Sequence, residues 1–281
     1  MRIGLIHKFL RPDTYGNYWL WTLRKYFPQH DIVCCTEQVS PSEHVLVKNP
    51  GCDVYIRLDD GFVYDLPEDW RPLIYYAVDT HHNYDGVDRL AIAKGCDHVL
   101  CSLKQTADEW VKDIANVEWM PHAAYFYPKS DGVRQFDVAS AMNLSTHPLL
   151  VERSWIAMGL KQMLGDNSRI VTGVHFDAMA QLYASSKIVW NHCVRGDLTM
   201  RMFEAAACGA CVVTNAATGL SDIFGDTPVV YETVPELIDT LHAVLRNPQE
   251  WTERGKQMTE IAVKHGYKDR MARVLKIAEG L

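Results

Sequence analysis

The sequence predicts an α/β protein of two Rossmann-like, doubly wound domains, and three observations lead there. Its 281 residues, 48% of them hydrophobic, exceed one ordinary domain and suffice for two cores of about 130 residues each. Short β-rich runs alternate with amphipathic helical stretches along the chain, the pattern of parallel sheets covered by helices on both faces. One segment, YFYPKSDGVR at 125–134, breaks the alternation with Pro and Gly and divides the chain. The expected organisation is a first domain at 1–125, a linker at 126–134, a second domain at 135–250 and a helical tail at 251–281 that packs back on the first domain.

In the first domain, apolar β-formers bounded by turn residues place strands at 2–7, 31–34, 53–58, 73–78, 98–102 and 117–120, with helices at 18–26 and 104–114. In the second, strands are expected at 136–142, 169–172, 188–191, 211–214 and 229–231. Helices fall at 149–164, 177–185, from Arg201, at 220–224 and at 235–245. The stretch 248–279 is helical, interrupted near Gly266, and no strand follows it. Two such domains meeting edge to edge would put the carboxyl ends of both sheets around one cleft, where ligands bind in these folds.

Composition narrows the function. The net charge of −7 resides mainly in residues 1–125, with 12 Lys/Arg against 18 Asp/Glu, which disfavours a duplex-binding surface. No apolar run reaches membrane-spanning length and the N-terminus carries no signal-peptide pattern, so a cytoplasmic location is expected. The eight Cys sit in apolar runs and read as reduced buried thiols. Cys208 and Cys211 form a C-x-x-C, but no second Cys or His pair stands at zinc-site spacing.

The stretch RMFEAAACGACVVTN at 201–215 carries the strongest chemical signal. Arg201 and Glu204, three apart, share one helix face, and Gly209 ends the helix before a strand. An Arg at a helix N-terminus suits phosphate, and a carboxylate one turn on suits sugar hydroxyls. His192, Asp197 and Thr199 precede this helix, with Thr199 or Asp197 also suited to capping it. Arg153, in the helix expected at 149–164, could join Arg201 in stabilising a departing diphosphate, or be a surface charge.

Three loops after first-domain strands are also polar. Lys8, Arg11 and Gly16 at a helix start suit a phosphate or sugar, or form an ordinary surface loop; G-x-G-x-x-G is absent. Asp59 and Asp60 suit a metal held with a diphosphate, or a turn in which Asp accepts backbone N–H groups. Asp79 beside His81 and His82 suits a general base for a hydroxyl, or a structural His cluster.

With these residues in place, the chain resembles the two-domain GT-B glycosyltransferases similar to the spore maturation protein (CgeB-like) family. The resemblance rests on RLDDG at 57–61, YAVDTH at 76–81, CDHVL at 96–100, EWMPHA at 118–123, MRMFEAAACG at 200–209, GLSDIF at 219–224 and HGYKDR at 265–270. It implies sugar transfer from a nucleotide diphosphate sugar, UDP-sugar foremost, to an acceptor hydroxyl between the domains, without metal or further cofactor. By the same resemblance, the second domain holds the nucleotide. Glu204 binds ribose or sugar hydroxyls, Arg201 lies on the diphosphate side, and Gly219 and Leu220 line the donor pocket. Many related retaining enzymes carry a second Glu eight residues before this one, where this chain has Gly196; His122 stands where an apolar residue is usual. In an inverting reaction Asp79 or His81 would be the base; in a retaining one a donor phosphate oxygen could take the proton. The acceptor stays open among glycan, small molecule, protein side chain and hydroxymethylated DNA base, Lys8, Arg11, Arg24 and Lys25 being the one basic cluster on offer for DNA. A sugar-nucleotide epimerase and a non-catalytic sugar-nucleotide-binding protein share the architecture.

Overall fold

The computed structural model describes residues 1–9, 15–40, 43–48, 50–81, 86–128 and 133–281. The chain forms two compact units, one of Met1–Pro121 with Tyr267–Leu281 and one of His122–Gly266.

The first unit is built on a parallel sheet of β1 (Arg2–Ile6), β2 (Asp31–Cys34), β5 (Val54–Leu58), β6 (Leu73–Ala77), β7 (His98–Cys101) and β8 (Val117–Trp119), in the order β2-β1-β5-β6-β7-β8. Every residue of β5 and β6 is buried, which is why these strands read as near-continuous apolar runs. Even Arg57 is buried there: its guanidinium donates to the Phe62 carbonyl at 2.8 Å and lies over the Tyr64 and Tyr75 rings. The helices are α1 (Tyr15–Tyr26), α2 (Arg89–Lys94) and α3 (Lys104–Trp110).

Three elements here go beyond the expected set. An antiparallel pair, β3 (Thr36–Ser40) and β4 (Glu43–Leu46), forms its own small sheet. The six-residue α2 is started by Asp88, whose carboxylate accepts the Ala91 N–H at 2.9 Å, a cap too local to stand out against periodicity.

The second unit holds a parallel sheet of β9 (Phe136–Ala141), β10 (Ser168–Val171), β11 (Ser186–Trp190), β12 (Cys211–Asn215) and β13 (Val229–Tyr231), ordered β10-β9-β11-β12-β13. Its helices are α4 (Val151–Leu164), α5 (Phe176–Ala184), α6 (Met200–Ala207), α7 (Leu220–Phe224), α8 (Val234–Leu245) and α9 (Pro248–Lys264). The chain leaves β9 toward β10 and returns to place β11 on β9's other side. The strand order therefore reverses between β9 and β11, and the crevice at their carboxyl ends is where such sheets receive ligands.

The change of unit comes at Pro121, ahead of the expected 126–134 linker, because the following residues already belong to the second unit. Ala124 bridges to Gly266 and donates to the His265 carbonyl, and the Tyr127 hydroxyl donates to Ala262. The expected tail at 251–281 is likewise divided. Helix α9 stays with the second unit, packed on α6, while α10 (Tyr267–Gly280) packs on α1, with the Tyr18 and Tyr267 rings 5.4 Å apart.

Two glycines let α9 approach the turn after α6 closely. A Cβ on Gly255 would lie 2.3 Å from the Gly209 carbonyl oxygen, and Gly209 itself has a left-handed φ of 69°. Gly159 of α4 instead faces open space. Gly255→Ala should therefore lower stability by about 1–3 kcal/mol through a clash with backbone. Gly159→Ala should raise it by about 0.5–1 kcal/mol. Urea unfolding midpoints check both, and a neutral Gly255→Ala would contradict the close crossing.

Candidate functional site

The second sheet's carboxyl edge gathers the charged residues of α4 and α6. Arg201, in the first turn of α6, donates from Nε to the carbonyl of Ala141 at the end of β9 (2.9 Å) and from Nη1 to Asn191 Oδ1 just beyond β11 (2.7 Å). Thr199 is the N-cap of α6, but its hydroxyl makes no capping bond; it donates to the same Asn191 oxygen at 3.0 Å. Asn191 is fully buried, and its amide nitrogen donates to Thr214 Oγ1 of β12 at 2.9 Å. Arg201 is thereby held from three elements.

Arg153 of α4 is buried too. Its Nη2 donates to the Asn143 carbonyl at 2.5 Å, and its Nε has no partner. Burial, then the positive charge of Arg201, pushes the Arg153 pKa down to about 10. Among the described residues neither guanidinium has a carboxylate in salt-bridge range. A buried guanidinium beside a half-buried one, without a counter-charge, is a costly arrangement that an anionic ligand would relieve.

His192 follows Asn191 and is buried, with Nδ1 3.0 Å from the Tyr231 hydroxyl and Nε2 3.9 Å from the exposed Glu152 carboxylate. Burial lowers its pKa below the ordinary 6.5, and Arg153 and Arg201 push the same way against Glu152. His192 lines a cavity of about 480 Å³ with Pro148, Glu152, Arg195, Asn215 and Tyr231. Neither Arg153 nor Arg201 is among the residues lining this cavity.

Glu204 lies one turn after Arg201 and is buried. Gly219 is the left-handed N-cap of α7 (φ 83°), Leu220 is buried, and the Thr218 N–H donates to the Gly196 carbonyl at 2.9 Å, tying this turn to the loop before α6.

In the first unit the polar loops are largely committed to structure. A Cβ on Gly16 would meet the buried His7 ring at 2.1 Å, so this glycine makes room for a side chain. Asp59 pairs with Arg89 at 2.6 Å and accepts from Val78 and Gly61. Asp60 accepts from Lys8, Phe62 and the Tyr64 hydroxyl, as the turn reading anticipates. Asp79 is exposed just beyond β6 in left-handed backbone (φ 51°), and His81 is half-buried. Arg11 and His82 lie outside the described residues. Cys208 and Cys211 are free and buried, burial raising both thiols, Cys211 to about 12. Asn191, Thr214 and Tyr231 escape sequence reasoning; the available signal is that polar residues end two neighbouring apolar strands.

The chain matches the glycosyl transferase-like family over residues 134–276. No curated protein sequence matches it. Among solved structures it is similar to WaaG, a glycosyltransferase involved in lipopolysaccharide biosynthesis, at 11% identity over 100% of both chains with a TM-score of 0.68. It is also similar to Anabaena HepE in complex with UDP and glucose, at 13% identity over 98% of this chain and 99% of that one (TM-score 0.67). A third is sucrose-phosphate synthase from Thermosynechococcus elongatus, at 12% identity over 100% and 99% (TM-score 0.65). At these identities the likeness establishes the GT-B fold.

Because the folded His192 binds its proton less tightly than the unfolded chain does, its contribution to stability is present above the ordinary 6.5 and is lost as pH falls through the lowered value. The stability difference between the wild type and His192→Gln should thus shrink between about pH 8 and about pH 5.5 in urea unfolding. A gap independent of pH would remove the depressed imidazole.

Proposed function

The chain belongs to the glycosyl transferase-like family, and from that premise we propose how its residues divide the work of a nucleotide-sugar-dependent glycosyltransferase. The donor is a UDP-sugar, in keeping with UDP bound to the structurally similar HepE. The observation that carries the reading is the pair of buried Arg153 and half-buried Arg201, which lacks a carboxylate partner at the carboxyl edge of the second sheet.

This pair takes the diphosphate, with Thr199 and His192 beside it, and Glu204 binds ribose or sugar hydroxyls. Gly219 and Leu220 shape the neighbouring turn. The first unit receives the acceptor near Asp79 and His81. The acceptor hydroxyl oxygen forms a bond to the anomeric carbon as the bond from that carbon to the β-phosphate oxygen breaks; the electron pair leaves on the diphosphate, and the hydroxyl proton passes to Asp79 or His81 in an inverting reaction or to a donor phosphate oxygen in a retaining one. Two fixed guanidiniums neutralise the charge that develops there, the task a divalent ion would otherwise perform, so transfer proceeds without metal. Among glycosyltransferases the blocks at 57–61, 76–81 and 200–209 favour the CgeB-like group. No described helix is long and apolar enough to cross a membrane.

Thermal unfolding against UDP, GDP, ADP, CMP and dTDP tests the donor site. UDP should raise the transition by a few degrees, and Glu204→Ala should abolish the shift. No shift with any nucleotide at millimolar concentration would sink the reading. Once an acceptor is found, Arg201→Ala should lower kcat/KM about 10²-fold, one charge-assisted contact in the transition state. EDTA should leave the rate unchanged, and activity lost to EDTA and restored by Mg²⁺ would refute metal independence.

A further inference from the structure

The proposed donor site assigns no role to Tyr231, which ends β13 forty residues from the loop it touches. Tyr231 is 2% exposed and its hydroxyl meets three groups. Trp190 Nε1 lies at 3.1 Å, His192 Nδ1 at 3.0 Å and the Asn191 carbonyl oxygen at 3.5 Å.

Indole Nε1–H can only donate, so the phenolic oxygen accepts from Trp190. A hydroxyl has one proton to give. If it goes to His192 Nδ1, both short contacts are good hydrogen bonds. If Nδ1 carried a proton of its own, the phenolic oxygen would accept twice, and its proton would be left to the Asn191 carbonyl at 3.5 Å, the limit of a hydrogen bond. The first arrangement has the better geometry. It leaves Nδ1 as acceptor and puts the imidazole proton on Nε2.

We infer that Tyr231, itself held by Trp190, is a positioning residue that locks His192 in the Nε2–H tautomer, so that this N–H serves as a hydrogen-bond donor to a phosphate oxygen of the bound nucleotide diphosphate. The ligand half of the inference rests on the donor-site reading given above; the tautomer half does not. The groups facing the ring agree with it. Arg153 and Arg201 make a positive charge on His192 unfavourable and attract an anion, while the exposed Glu152 carboxylate, 3.9 Å from Nε2, is beyond hydrogen-bond reach and does not take that N–H. A neutral imidazole with a fixed donor keeps its role as pH changes near neutrality, which a mixture of tautomers would not.

The test is the ring ¹H–¹⁵N long-range spectrum of protein labelled at histidine, with the His192 signals assigned by their loss in His192→Gln. The wild type should show the Nε2–H pattern. Tyr231→Phe should convert it to a mixture of tautomers, and Trp190→Phe, which keeps the phenol, should retain it. UDP should shift the His192 Nε2 signal in the wild type. With UDP-sugar, Tyr231→Phe should lower kcat/KM about tenfold, one hydrogen bond. An Nδ1–H pattern in the wild type, or an unchanged pattern in Tyr231→Phe, overturns the lock, and the wild-type spectrum decides this even where a variant fails to fold. A locked Nε2–H that UDP does not shift, while UDP still raises the thermal transition, overturns the phosphate contact. If UDP binds by neither measure, the donor-site reading fails and the tautomer lock stands on the spectrum alone.

Discussion

The amide of Asn191 is the joint on which the second unit's site depends. Its oxygen takes donors from Thr199 and Arg201, and its nitrogen gives to the Thr214 hydroxyl, which passes its own proton to the Asn215 carbonyl. Because Arg201 and Thr199 both donate, the amide can face only one way, and the chain of donors runs from α6 through β11 into β12 without a conflict. A buried polar network with every member satisfied confers rigidity, whereas one missing partner would leave a buried group unpaired at about 1–3 kcal/mol. The network therefore sets which face of α6 meets the sheet edge, and with it the direction of the Arg201 guanidinium.

A carbonyl and an amide give Arg201 geometry but no negative charge. Arg153 stands in the same condition, with one backbone carbonyl and a lone Nε. Burying a guanidinium is tolerable where hydrogen bonds compensate, yet burial, with the positive charge of Arg201 adding to it, pushes the Arg153 pKa down to about 10. A protein interior selected for stability alone would place a carboxylate between them, as Asp59 is placed against Arg89 in the first unit at 2.6 Å. One chain thus holds an arginine in a paired, structural environment and two arginines without a carboxylate, the kind of environment that marks candidate functional sites.

The sheets were legible because both are parallel and buried, so each strand appears as a short apolar run and each helix as a period of 3.6. Arg201 and Glu204 were legible for a similar reason, since their spacing on one helix turn is local. The β3–β4 pair was not, because TEQVS and its partner are short and polar enough to pass for loop. Gly16 shows a different limit: a glycine at a helix start suggests a close ligand, but what approaches it is the His7 ring, and only the fold brings residue 7 back to residue 16. Asn191, Thr214 and Tyr231 are ordinary letters at the ends of strands. Their meaning lies in contacts spanning 23 to 41 positions, as from Asn191 to Thr214 and Trp190 to Tyr231, which no periodicity records.

Position 196 shows how backbone geometry bears on chemistry. Many related retaining enzymes carry a carboxylate there, and in this chain Gly196 has a φ of 78°, directly after Arg195 at 52°. Its carbonyl holds Thr218, and a Cβ would lie 3.4 Å from the Thr218 hydroxyl, so space alone would admit a side chain while the left-handed backbone opposes one at about 1–2 kcal/mol. The loop is thus shaped for glycine, and a Glu placed at 196 would work against the turn that ties it to α7. Among the polar groups that the same loop does present to the cavity are Arg195 and His192. The direction of His192 is held from β13, two strands along the sheet from β11, because the phenol of Tyr231 reaches its ring.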